Sequence, residues 1–343
     1  AVEINGLGAA LIIDTPGLDD ITSLGKERMA RTARMLDKTD IAVVLFTDAG
    51  TDTELKLLEE LRVREIPAIV ALTQSDRITD SEALAKHINI LTNKEVIRLS
   101  ATTGEGIEAL REAIVRCRPS DERLITEGFC KAGDIVMLVM PQDASAPKGR
   151  LIQPQVQTIR ELLDRGCIPI CTTPDSMAEA LAGLKEAPAL IITDSQAFEA
   201  AYRQKPEAST LTSFSILFAR YKGDIKLFTE GVKALGRLTP TSRILIAEAC
   251  SHTPQNEDIG RVKLPRILRK KFGEELHIDI VGGNDYPEDL TQYDLVIHCG
   301  ACMFNRKHVL SRVERARSQG VAITNYGVIL AALTGILDRV RVD

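Results

Sequence analysis

Three cysteines and two histidines carry the strongest chemistry in this sequence, in the groups Cys250-Ser251-His252 and His298-Cys299-Gly300-Ala301-Cys302. C-x-x-C is the spacing at which two thiolates from one turn reach a single metal centre, and Gly300 lets that turn tighten. Both groups directly follow β-branched runs, Arg243–Ala247 and Leu295–His298. They are therefore predicted at the carboxyl ends of strands, where parallel sheets place their ligand crevices. If those strands are neighbours, Cys250, Cys299 and Cys302 deliver their thiolates to one point. Zinc takes a closed tetrahedral set such as three Cys and one His. An iron–sulfur cubane needs four ligands and usually takes four thiolates. Spacing alone leaves zinc, an iron–sulfur cluster and plainly packed thiols all open.

A second set of residues sits after strand-like runs in the first third of the chain. Asp14-Thr15-Pro16-Gly17 ends the run Ala9–Ile13 and matches the D-x-x-G motif of P-loop GTPases. There the Asp orients Mg²⁺ and its water, and the Gly amide meets the γ-phosphate. Ser100-Ala101-Thr102 resembles the S-A-x loop that faces the guanine. Thr73-Gln74-Ser75-Asp76 stands where GTPases carry N-K-x-D, with Asp76 placed to accept the guanine N–H groups. Thr73 and Gln74 replace the usual Asn and Lys. No G-x-x-x-x-G-K-[ST] occurs in the sequence. The intact protein is therefore expected to carry roughly 50 further N-terminal residues, a βαβ crossover and a switch loop. The chain as given is expected not to hydrolyse GTP.

These residues need a scaffold, and the pattern supplies an α/β one. Short apolar runs alternate with amphipathic helical stretches in three blocks, which predicts three consecutive α/β domains, each with a mainly parallel sheet. The strands are Ala9–Ile13, Ile41–Phe46, Ala68–Leu72 and Val96–Ser100, then Ile135–Met140, Ile168–Thr172 and Leu190–Thr193, then Arg243–Ala247, His277–Val281, Leu295–His298 and Ala322–Thr324. Breaks near Pro119-Ser120-Asp121-Glu122 and Thr239-Pro240 give domains 1–118, 119–238 and 239–343, the first a partial P-loop GTPase fold. The apolar, aromatic-bearing segment Phe214–Tyr221 has more greasy positions than one helix face needs and is a candidate dimer surface.

Composition narrows the partners. A net charge of −5 and a charged fraction of 27% give no reason to expect nucleic acid or an anionic membrane. No run of 18 apolar residues is present, so no membrane span is expected. Seven cysteines, an odd number, argue against a disulfide framework and for metal ligation or burial. Cys117, Cys130, Cys167 and Cys171 are expected to pack as small apolar residues.

Taken together, C-S-H and H-C-G-A-C resemble the C-x-H and H-C-x-x-C signature of the FeFe-hydrogenase maturation GTPases, the HydF family. The resemblance extends through Glu257–Pro265, His298–Met303, Ile323–Val328 and Leu211–Asp224. It implies a 4Fe-4S cluster on Cys250, Cys299 and Cys302, with His252 or His298 at the fourth iron or tuning the cluster by hydrogen bonds. It implies GTP and Mg²⁺ at Asp14, Gly17, Thr73, Asp76, Ser100 and Ala101. The implied cargo is a di-iron carbonyl/cyanide precursor delivered to apo FeFe-hydrogenase, with radical-SAM maturases as further partners. The middle block would form a homodimer or higher oligomer, and the setting would be cytoplasmic. The rival reading is a regulatory GTPase whose C-terminal domain is a structural zinc module.

Overall fold

Unbroken runs of Ile, Val and Leu become buried strands in the interiors of the two four-stranded sheets, as in Ile135–Val139 and Leu295–His298. The computed structural model describes residues 2–15, 35–48, 52–118, 123–141, 151–249, 258–283, 285–301 and 304–342. It divides into two compact units, Ala1–Asp121 and Glu122–Asp343.

In the first unit, β1 (Val2–Ile4) and β2 (Gly8–Ala10) form an antiparallel pair. A separate parallel sheet has the order β3 (Ala42–Phe46), β4 (Ala68–Leu72), β5 (Val96–Arg98). The helices α1 (Asp52–Val63), α2 (Ser81–Thr92) and α3 (Ile107–Arg116) lie between and after these strands in sequence. The predicted strand Ala9–Ile13 is shorter than expected. Residues 11–15 have no strand pairing, and Leu11 and Ile12 are 72% and 70% exposed. β3 is an edge strand, and it too presents apolar side chains, with Leu45 51% exposed.

The second unit holds two four-stranded parallel sheets of identical strand order. The middle one contains β6 (Ile135–Val139), α4 (Gln153–Asp164), β7 (Ile168–Thr172), α5 (Met177–Ala182), β8 (Leu190–Thr193), α6 (Phe198–Gln204) and β9 (Thr210–Ser213), followed by α7 (Phe214–Lys222). Its order is β7-β6-β8-β9. The last sheet follows α8 (Ile225–Gly231) and is built from β10 (Arg243–Ala247), α9 (Leu264–Phe272), β11 (His277–Val281), β12 (Leu295–His298), α10 (Arg306–Ser318), β13 (Ile323–Asn325) and α11 (Tyr326–Leu333). Its order is β11-β10-β12-β13. The helix starts are set locally: Ser213 accepts from Ile216 N–H, Asp224 from Lys226 and Leu227, and Asn325 from Val328. Each such cap contributes about 1 kcal/mol.

The two sheets of this unit share a core. Met137, Leu211 and Ile216 of the middle part pack with Ala331, Ile336 and Val340 from the chain end. Residues 225–237, assigned from sequence to a middle domain ending at 238, pack on β13 through α8, so by packing the third block begins near 224. The segment Phe214–Tyr221 is core and not an exposed patch: Phe214, Ile216, Leu217, Phe218 and Ala219 are all buried. Its greasy surplus is used because α7 packs against α4, α10 and α11 at once. Cys130 and Cys167 are buried with sulfurs 3.7 Å apart, Cys117 is half-buried, and Cys171 is exposed on β7.

The α8–β13 contact is close enough to test. A Cβ on Gly231 would lie 1.9 Å from the Ile323 carbonyl oxygen, a backbone atom that cannot swing aside. Gly231→Ala is expected to destabilise the protein by about 2 kcal/mol. A lowered urea midpoint at unchanged slope would show it, and an unchanged midpoint would contradict this packing.

Candidate functional site

β10 and β12 are hydrogen-bonded parallel neighbours in register Ala247 opposite His298, so the two motif segments leave adjacent strand ends. The chain turns one way from β10 to β11 and the other way to β12 and β13, which makes the gap beyond β10 and β12 the topological switch point of the sheet. Cys299 begins there. Its N–H donates to Ala247 O at 3.0 Å, and its sulfur accepts from the N–H of Ala249 at 3.0 Å and of Ala301 at 3.4 Å. Two backbone donors on one sulfur favour the thiolate, the form that ligates a metal. Ala249 and Ala301 immediately precede Cys250 and Cys302 in sequence, so the described backbone brings both segments to the Cys299 sulfur. Cys250, Cys302 and His252 themselves lie outside the described residues. Among the described residues no group of three His, Cys, Asp or Glu side chains is placed to hold a metal.

His298 is fully buried and both ring nitrogens are engaged. Nδ1 lies 2.7 Å from Cys299 O and Nε2 lies 3.3 Å from Arg312 Nη1. An arginine only donates, so Nε2 accepts and Nδ1 carries the proton to the carbonyl. Burial pushes this imidazole down to about 3, and the Arg312 charge acts in the same direction. Arg312 also donates to the Glu248 and Gly283 carbonyls and stacks over the Tyr286 ring, 4.7 Å to its centroid. The guanidinium thus ties three strand ends, those after β10, β11 and β12.

Three further residues at these strand ends were not singled out from the sequence as site residues. Glu248, buried after β10, pairs with Arg261 at 2.8 Å. Tyr326, the first residue of α11, has a buried hydroxyl oxygen with no hydrogen-bond partner among the described residues. Burial, then the nearby Cys299 and Glu248, raise its phenol well above the ordinary value, so it keeps its proton. Lys222 at the end of α7 is 7% exposed and donates to Ala301 O at 3.0 Å and Phe304 O at 2.7 Å.

In the first unit, the loops carrying Thr73–Asp76 and Ser100–Thr102 follow β4 and β5 and are hydrogen-bonded to each other. Thr73 follows β4 and its N–H donates to Phe46 O at 2.9 Å. Ser75 N–H donates to Leu99 O at 3.0 Å, and its hydroxyl donates to Glu105 at 2.9 Å, tying this loop to the one after β5. Ser100 is buried and accepts from Thr103 N–H at 3.1 Å, leaving Ala101 exposed at the turn. Asp76 is exposed on the short turn Ser75–Arg77, reached through a left-handed Gln74 at φ 56°. Asp14 is exposed, and Gly17 lies outside the described residues.

By class, this is an α/β protein that joins a unit with GTPase-type loops to a second unit bearing a cysteine at its sheet switch point. Residues 125–223 match the hydrogen maturase F dimerization domain and residues 226–341 its tetramerization domain. The chain belongs to the hydrogen maturase F family, HydF. Its GTPase part is similar to GTPase Era from Pseudomonas fluorescens, at 27% identity over 133 residues, and from Pseudomonas aeruginosa, at 28% over 134. Each match takes in 37% of this chain and 44% of the relative, so the chain spans less than half the length of the curated relatives it matches. Among the described residues no helix is long and apolar enough to cross a membrane.

Proposed function

We propose that this chain is a cytoplasmic cluster scaffold of hydrogenase maturation, holding a 4Fe-4S cluster on Cys250, Cys299 and Cys302 and delivering a di-iron carbonyl/cyanide precursor to apo FeFe-hydrogenase. The observation that carries this reading is the Cys299 sulfur, bonded by two backbone amides at a sheet switch point in a chain of this family. The surroundings suit such a group: two backbone amides donate to the Cys299 sulfur, and the buried Arg312 guanidinium adds a positive charge at the same strand ends. With three thiolates, the bound cluster supplies one iron whose remaining position can exchange. His298 acts here as a positioning residue, since its nitrogens are committed to Cys299 O and Arg312. Of the two motif histidines, His252 is left as the candidate fourth ligand.

Asp14, Gly17, Thr73, Asp76, Ser100 and Ala101 serve GTP and Mg²⁺, and nucleotide state switches the encounter with radical-SAM maturases and hydrogenase. The exposed β3 edge and Leu11–Ile12 support the view that a further strand completes this sheet.

Oligomerisation is assigned to the β7 edge. Ile168 on β7 and Leu163 on α4 are 51% and 52% exposed, an apolar surface beside unpaired strand groups. Ile168→Asp is expected to shift the dimer to monomer by light scattering; a variant that stays dimeric at the parent's concentration sinks this assignment.

The scaffold reading is tested by iron and acid-labile sulfide analysis with a visible spectrum after anaerobic reconstitution. About four of each per chain is the expected result. One zinc and no iron would move the protein to the rival, a GTPase with a structural zinc module.

A further inference from the structure

Among the described residues around Cys299, one buried hydroxyl is left without a hydrogen-bond partner. Arg312, His298, Glu248 and Lys222 all have protein partners, whereas the Tyr326 hydroxyl has none. Leaving such a donor unmade costs about 1–3 kcal/mol, and nothing in the fold forces it. The ring sits at the first position of α11, fixed by the Asn325 cap behind it and by Gly327, where a Cβ would lie 2.8 Å from the Ser215 Cβ. The hydroxyl is aimed past Gly260, where a Cβ would lie 2.0 Å from it and 2.9 Å from Glu248 Oε1. Gly260 is therefore a gap that admits this hydroxyl to the polar pocket of Glu248. The pocket stands at the same strand ends as Cys299: His298 of β12 pairs with Asn325 of β13, and Cys299 and Tyr326 are the residues that follow them.

We propose that Tyr326 donates its hydroxyl hydrogen bond to a sulfur of the cluster bound at Cys299, resting on the 4Fe-4S reading above. A protonated phenol offers one donor and suits an anionic sulfide or thiolate, while Glu248 is paired through Oε2 to Arg261. A donor to cluster sulfur favours the reduced, more negative state and so raises the reduction potential.

The test is Tyr326→Phe in the full chain, which removes one oxygen and keeps the ring. Without iron, the variant is expected to melt no lower than the parent, because the hydroxyl has no protein partner to lose. With iron, it is expected to take up the same amount as the parent and to show a more negative midpoint potential. Equal iron with an unmoved potential overturns the proposal alone, and so does a lower melting temperature of the iron-free variant. A parent protein that takes up no iron overturns the cluster reading, and the proposal falls with it.

Discussion

A Cys299→Ala protein is expected to lose its iron and to leave apo-hydrogenase inactive, while keeping its fold and oligomeric state. The backbone at this position is held independently of the thiol, since Cys299 N–H bonds Ala247 O within the continuation of β12 against β10. What alanine removes is the sulfur that accepts from Ala249 and Ala301. Two amides lose an acceptor, at about 1 kcal/mol each, so melting should fall by only a few degrees. Loss of one thiolate from three is far more severe for the metal, because two remaining ligands cannot hold a cubane against a chelator. Cys299→Ser separates the two effects: its hydroxyl still accepts from the amides but ligates iron poorly. Melting should recover in the serine variant and iron should not. Hydrogenase activation at the parent's level by the alanine variant would remove this cysteine from the mechanism.

How much of this could be read from the residues differs between strands and site. Ile135–Val139 and Leu295–His298 were legible because strands buried on both faces need unbroken aliphatic runs, and the structure places both at sheet interiors. β9 has no such run: Thr210-Leu211-Thr212-Ser213 is short and polar, and it is buried because α7 and the returning Arg341 backbone cover it. Residues 11–13 read as strand from the same aliphatic signal, yet only neighbours make a strand, and here pairing ends at Ala10. Phe214–Tyr221 shows the opposite limit. Hydrophobic surplus says that something covers a helix, and the cover proved to be other helices of the same unit. At the site, C-x-x-C is a local pattern and was visible. Arg312 and Lys222 act through partners many tens of residues away, and no spacing rule encodes those.

Lys222→Met is expected to loosen the cysteine loop itself and to speed iron loss. The ammonium enters from the middle sheet's last helix and holds two carbonyls of the loop, Ala301 O and Phe304 O. Arg306 completes the clamp from the other side by donating to the carbonyls of Tyr221 and Gly223. Ala301 needs that support, because it sits at φ 47°, a left-handed backbone that costs a non-glycine residue about 1 kcal/mol and persists only when its surroundings impose it. Met keeps the apolar stem packed near the Phe218 ring and removes the charge-assisted donors. Losing them from a buried site costs about 3 kcal/mol, more than the loop can recover by turning its carbonyls to water. Iron loss to a chelator should quicken by roughly tenfold, the scale on which supporting residues alter metal affinity, and the reduced cluster's EPR signal should broaden as the loop samples more conformations. A variant that holds iron as long as the parent, with the same spectrum, would show that the loop keeps its shape without Lys222. With the expected result, the middle sheet would set the geometry of the cysteine loop through one side chain. A change at the oligomer-forming β7 edge would then have a physical route to the cluster, through α4 to α7 and from Lys222 to the carbonyl beside Cys302.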